Sequence, residues 1–378
     1  MRDQIIYLDN NATTPIDPRV LDVMMPFLTD NFANASSIHQ SGLKAKDAVK
    51  AAREDVCKLI GAEQNEVIFT SGATEAINLA IKGVAEQYQS RGNHIITVST
   101  EHSAVLDTCA YLETKGFQIT YLPVQPDGLI DLIELRSALT DDTILVSVMY
   151  VNNETGVTQP IKEIAALAHE AGALFMSDGT QAVGKIPIDV ADLGVDLLSF
   201  SGHKFYAPKG IGGLYVRNGI KLPALLHGGG HERGLRSGTL NVPGIVALGA
   251  ASRIAQKEML QDAERIVNLR DELELSLLKI PGAFVNGNTS NRLYNVTNIC
   301  FPGHDANVII GRLKNIALSN GSACTAAVVE PSHVLQAMGV SNDDAFSAIR
   351  FSLGRFNTRD DITATIKALN AITILYPN

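Results

Sequence analysis

"LLSFSGHKFYAPKGIGGLYV", residues 197 to 216, starts as an apolar strand, breaks at Gly202-His203-Lys204 and returns through paired glycines into a second strand. The break puts Lys204 at the carboxyl end of the first strand, with an imidazole beside it and glycines nearby. A lysine in that position can lose hydration, which lowers its pKa toward the uncharged state that forms a Schiff base. A surface lysine in a turn has the same local signature, so the rest of the chain has to decide between the two.

Working outward, short apolar runs at 66–70, 94–99, 118–123, 143–151, 173–178, 196–201 and 212–217 read as strands. Helical periodicity lies between several of them. Ala45, Val49, Ala52, Val56, Leu59 and Ile60 recur at three-to-four spacing before a stop at Gly61. Ile77, Ala80, Ile81, Val84 and Ala85 form a second apolar face, and 161–171 reads as a further helix. Strand and helix in alternation predict an α/β fold, a mostly parallel seven-stranded sheet covered on both faces, in a large domain over 15–255. A long helical stretch at 257–279, two short strands around 293–301, a helix starting at Pro331 and another from 361 predict a smaller α+β domain over 256–378. Residues 1–14 are expected to pack on that domain.

Ligands of parallel sheets bind at the carboxyl ends of the strands, and polar residues gather there: Ser71, Asn153, Asp178 and Ser201. Asp178 suits pairing with a protonated pyridine nitrogen, and Gln181 can donate to a phenolic oxygen beside it. "TSGATEA" (70–76) supplies a glycine and then a helix N-terminus, so Gly72, Ala73 and Thr74 offer a phosphate seat. His102, in "STEHSAV" (99–105), follows a strand where an imidazole can stack on a ring and move protons. Each residue has an ordinary structural explanation; their order, all at strand ends, points to pyridoxal 5'-phosphate (PLP).

The bulk numbers narrow the class. Of 378 residues, 46% are apolar and 19% charged, ordinary globular values. A net charge of −9 disfavours nucleic acid or an anionic membrane as the main partner. No apolar run approaches the roughly 20 residues of a membrane span, and "MRDQIIYLDNNATT" lacks the apolar core of a signal peptide. Cys57, Cys109, Cys300 and Cys324 are far apart without a CxxC pair, which suggests neither a disulfide framework nor a metal site and fits a cytoplasmic enzyme. Cys57 and Cys300 read as core and Cys109 as helical. Cys324, in "NGSACTAA" (320–327), is surrounded instead by very small side chains.

"YLDNNATTP" (7–15), "FTSGATEAIN" (69–78), "EHSAV" (101–105), "VNNETG" (151–156), "DGTQAVGK" (178–185), "SFSGHKFYAPKG" (199–210), "HGGGHERGLRSGTLN" (227–241), "NGSACT" (320–325) and "IRFSLGRFNT" (349–358) occur in one order along nearly the whole chain. In these motifs the chain resembles the cysteine desulfurases of the NifS/IscS group, within the class V aminotransferase superfamily of fold-type I PLP enzymes. The resemblance implies that Lys204 carries the cofactor and acts as general base, that Asp178 pairs with the pyridinium, and that His102 stacks on the ring. Gln181 and Asn153 would contact the phenolic oxygen, and Thr74, Ser201 and His203 the phosphate. It implies a homodimer in which Thr239 reaches the phosphate of the partner subunit's site. Arg350 would grip the carboxylate of L-cysteine, with Asn34 and Asn153 as further substrate contacts, and Cys324 would take the sulfur for an acceptor protein. Iron–sulfur cluster assembly and thiolation pathways are the implied destinations. "FANASSIH" (32–39) departs from the family's GNPSS pattern, Gly179 stands at a usual alanine position, and the short tail weakens the expectation of a scaffold protein docking there. A selenocysteine lyase or another class V enzyme would keep Lys204 and Asp178 without needing Cys324. An esterase, suggested by "HGGG" (227–230), lacks its GxSxG elbow. A non-catalytic sulfur carrier would not need the cofactor residues.

Overall fold

The computed structural model describes residues 5–321 and 330–375. Its strands are β1 (Ile6–Tyr7), β2 (Val67–Thr70), β3 (His94–Val98), β4 (Gln118–Leu122), β5 (Thr143–Ser147), β6 (Leu174–Asp178), β7 (Leu197–Ser201), β8 (Gly212–Val216), β9 (Phe284–Val285), β10 (Val296–Cys300), β11 (Ile316–Ala317) and β12 (Ala348–Ser352). Seven of them form one sheet in the order β2-β8-β7-β6-β5-β3-β4. β8 runs antiparallel to both neighbours and the other pairings are parallel. Every residue of the inner strands except the half-buried Leu174 is buried, the mark of a sheet covered on both faces, while β4 at one edge is only partly covered. The expected seven strands are therefore present.

Register brings the site together. Gly212 of β8 pairs with Thr70 of β2 on one side and Ser201 of β7 on the other. The turns after β2 and β7 thus become neighbours at one sheet edge. Gly212 is required there: a Cβ on it would lie 2.8 Å from the Cα of Gly72.

Helix Gln40–Ile60 ends at Gly61 in the left-handed conformation, φ 71°, as its spacing predicted. It packs on Val242–Leu277, which starts some fifteen residues earlier than its periodicity suggested. The early part, "GIVALGAAS" (244–252), is buried all round and so shows no amphipathic stripe. Gly249 meets Ala52 so closely that a Cβ would lie 2.6 Å from the Ala52 Cα. This helix runs unbroken through 255 and 256. Its first half joins the apolar cluster under the large sheet, and Ile266, Leu269, Leu273 and Leu277 join another containing Leu8, Ile299 and Phe351. In place of two strands at 293–301 there is one, β10, flanked by β12 and β9 in a three-stranded antiparallel sheet. The helix expected from Pro331 runs from His333 to Ala337, capped by Ser332. Among the described residues no helix is long and apolar enough to cross a membrane.

Candidate active site

At the carboxyl ends of the large sheet lies a cavity of about 650 Å³. Gly72, Ala73, Thr74, His102, Asn153, Asp178, Gln181, Ser201, His203, Lys204 and Arg350 all line it. Two expected residues do not. Asn34 is exposed and its Oδ1 accepts from the Ser36 N–H at 2.9 Å, closing a turn. Thr239 is exposed on the 227–241 segment. Cys324 lies outside the described residues, but Gly321 and His333 on either side of it border the cavity.

Lys204 Nζ donates to the backbone oxygens of Asn11 at 2.7 Å and Ala12 at 2.9 Å. Burial, then the nearby Arg350 guanidinium, pull its pKa down to about 8, against the opposite pull of Asp178 and Asp9. At pH 7 about a tenth of this amine is then uncharged, far more than in an ordinary lysine, and that is the form a nucleophile or base requires. His203 beside it is pushed down to about 4 by burial and then by Lys204.

Asp178, at the last position of β6, is fixed by Ser199 Oγ at 3.1 Å, the Thr180 N–H at 3.0 Å and a very short bond from Thr180 Oγ1. Its buried carboxylate is poised to meet a cationic ring nitrogen. His102 caps helix Ser103–Glu113: its Nδ1 accepts from the Ala104 N–H at 3.1 Å. In the neutral ring the proton therefore resides on Nε2. Burial lowers the pKa of His102 further, which favours that neutral form.

Helix Ala73–Tyr88 offers an anion seat: its N-cap, Gly72, makes no side-chain cap bond, and Gly72, Ala73 and Thr74 line the cavity together with Ser201 and His203. Glu75 in the first turn is drawn away by the Ser71 N–H at 2.8 Å and Arg236 at 2.8 Å. Opposite, Arg350 Nη2 pairs with Asp9 at 2.6 Å and Nη1 donates to the Asn153 oxygen at 3.0 Å. Its buried Nε has no partner, leaving donor capacity for a carboxylate. An anion seat, a neutral imidazole, a fixed carboxylate and a low-pKa lysine together fit PLP.

Sequence reasoning gave no role to Asn11, Ala12, Asp9 or Lys185. Asn11 and Ala12 act through backbone oxygens, which leave no side-chain signal; "YLDNNATTP" was the only pointer to them. Lys185 is buried, with its Nζ 2.6 Å from Gln181 Oε1. Cys57, Cys109 and Cys300 are all buried, and burial pushes their thiols up to about 11, 12 and 12. None lines the cavity.

Fold and cavity together define a fold-type I PLP enzyme, and the chain belongs to the class V aminotransferase family, whose model matches residues 6–365. It is 53% identical over 367 residues to the cysteine desulfurase IscS of Pectobacterium carotovorum subsp. carotovorum (strain PC1), covering 96% of this chain and 91% of that one. Against cysteine desulfurase IscS of Escherichia coli (strain K12 / DH10B) the identity is 52% with the same coverage. Among solved structures, a NifS-like protein superimposes with a TM-score of 0.94 at 39% identity, covering 99% of this chain and all of that one.

Proposed function

We propose that this protein is a PLP-dependent cysteine desulfurase that takes the sulfur of L-cysteine, releases L-alanine and holds the sulfur as a persulfide on Cys324 for an acceptor protein. The observation that carries the proposal is the Lys204 amine, lowered to about 8 in a cavity that also presents Asp178, His102 and Arg350. Identity above half to cysteine desulfurases over 96% of the chain favours this activity over selenocysteine lyase or another class V reaction.

When bound, the cofactor supplies an electron sink for the charge left on the amino acid's carbon. Gly72, Ala73 and Thr74, with Ser201 and His203, would hold its phosphate, Asp178 its ring nitrogen, His102 its ring face, and Gln181 and Asn153 its phenolic oxygen. Arg350 holds the substrate carboxylate, directing the α-hydrogen toward Lys204, whose uncharged amine takes that proton. The Cys324 thiolate attacks the substrate sulfur. An S–S bond forms, the Cβ–S bond breaks with its electron pair left on carbon, and that carbon takes a proton to become the methyl group of alanine. Placement of Cys324 between two cavity-lining residues, and the inert thiols of the other three cysteines, support this assignment.

We assign a homodimer with Thr239 reaching the partner's phosphate seat. Thr239 is exposed and outside its own cavity, and Phe32 at 77% and Ile38 at 93% exposure lie in the segment whose Ser36 touches His231. We also take 15–255 as the large PLP-binding domain and 256–378, with 1–14, as the small one; the cluster joining Leu8 to Ile299 and Phe351 supports this. The working compartment is the cytoplasm, and the acceptor belongs to iron–sulfur cluster assembly or thiolation. The test is to supply L-cysteine and a reductant and to measure alanine and sulfide, expected in equal amounts. A protein without the absorption band of bound PLP refutes the cofactor, and a Cys324→Ala variant releasing sulfide at the parent rate refutes the persulfide route.

A further inference from the structure

Lys185 is 6% exposed and lies four residues beyond Gln181 in the turn after β6, outside the cavity lining. Its Nζ donates to Gln181 Oε1 at 2.6 Å and to Asn11 Oδ1 at 3.3 Å, and among the described residues no carboxylate pairs with it. A buried ammonium without a counter-ion is costly. The charged groups that act on it add to that cost: Lys204 from the turn after β7 and Arg350 from β12. Burial and these neighbours hold its pKa well below that of an ordinary lysine. An uncharged amine has two N–H groups, and two acceptors stand in front of it.

The sense of the network follows from these contacts. Gln181 Nε2 donates to the Asn11 backbone oxygen at 2.9 Å, the same oxygen that accepts from Lys204 Nζ at 2.7 Å. Reversing the Gln181 carboxamide would set Oε1 against that oxygen, acceptor facing acceptor, and would strand the Lys185 donor. Donation therefore runs from Lys185 through Gln181 to the Asn11 oxygen, where it meets the bond that Lys204 donates from the other side.

We propose that Lys185 is a positioning residue of the reaction: by donating to Gln181 Oε1 it keeps the N–H side of that amide turned toward Asn11 and the cofactor's phenolic oxygen. This rests on the cavity being the PLP site. An amide held in this sense always meets the phenolic oxygen with a donor. A freed amide would present its oxygen part of the time and weaken that contact.

The test uses the purified holoenzyme and Lys185→Met, which removes the donors while keeping most of the side-chain volume. Two readouts are followed: the pH at which the bound cofactor's visible band titrates, and the Gln181 side-chain amide signals in protein carrying isotope-labelled glutamine. The expected results are a displaced Gln181 signal, a band midpoint moved by about half a pH unit or more, and kcat reduced more than KM is changed. In a Gln181→Met background the same substitution should add no further shift, since the effect passes through that amide. If Lys185→Met does not fold, Lys185→Gln, which keeps an N–H donor on a shorter stem, should give a smaller displacement of both readouts. A folded variant with the parent midpoint and the parent Gln181 signal overturns the proposal, as does an equal shift in the Gln181→Met background. A parent protein that takes up no cofactor refutes the reading of the cavity instead, and the Gln181 signal then still decides the contact.

Discussion

The seven-stranded sheet reaches the cavity with residues at or just beyond its strand ends, whereas the three-stranded sheet reaches it with Arg350 from the middle of β12. In the first case β2, β3, β6 and β7 run in one direction, β2 by way of the antiparallel β8, so their following turns share one edge and bring backbone N–H groups or side chains to it. Asp178 and His102 are fixed by bonds within two residues or to the adjacent strand. Arg350 has no such local support. Its guanidinium is braced by Asp9 and the Asn153 oxygen, both remote in sequence. The large sheet therefore fixes Asp178 and His102 locally, Lys204 leans on the Asn11 and Ala12 oxygens of the N-terminal segment, and Arg350 depends on three segments meeting.

Removing the central group of the first region should have the largest effect. Lys204→Ala is expected to lose L-cysteine desulfuration by ~10³-fold or more, through kcat, since the proposed roles of Lys204 make it both covalent anchor and base. Alanine release measures it. Arg350→Lys keeps the charge but loses the forked donor set, so its cost should fall mainly on KM. Loss of a charge-assisted bond predicts a rise of ~10- to 100-fold. An equal collapse of kcat in both variants would show that the two regions are not separable as described.

The same contrast explains what the sequence revealed. Strands buried on both faces appear as short apolar runs, and the polar residue ending each run marks the cavity edge, so His102, Asp178 and Lys204 were legible one by one. The start of helix Val242–Leu277 was hidden because small residues buried all round carry no helical stripe. Asp9, Asn11 and Lys185 were hidden for another reason. They act through backbone oxygens or through a buried contact, and the chain's folding alone brings Asn11 to Lys204. Arg350 was legible only through resemblance, since nothing in an apolar strand says where its one charge points.

The first region should also respond to acid. His203 has a folded pKa of about 4 against an ordinary 6.5. Between those values the unfolded chain binds a proton that the folded chain refuses. The stabilisation is complete above about pH 6.5 and is lost as pH falls through about 4. His102 is shifted in the same direction. Melting temperature measured from pH 4 to 7 should rise more steeply in the parent than in His203→Gln, by on the order of 2 kcal/mol over the window. Parallel curves would mean that the imidazole is not desolvated.

The smallest effect is expected at Glu101, directly before His102. It is fully buried; one carboxyl oxygen takes a very short bond from the Met149 N–H and the other has no partner. Burial, followed by Asp178, holds its pKa well above the ordinary carboxylate range, which favours the neutral acid in the folded protein. Above about pH 4.5 the unfolded chain gives up this proton and the folded chain does not, so stability falls as pH rises toward the folded pKa. Glu101→Gln has nearly the same shape and no such slope. Its melting temperature should equal or exceed the parent's at pH 7, by about 1 kcal/mol or less, and the gap should widen toward alkaline pH. The variant's pH–activity profile should stay within about twofold of the parent's, because a neutral side chain replaces a neutral one beside His102 and Asp178. A large drop in activity would mean that Glu101 is ionised, and that the charge balance at the strand ends includes one more anion than the geometry assigns.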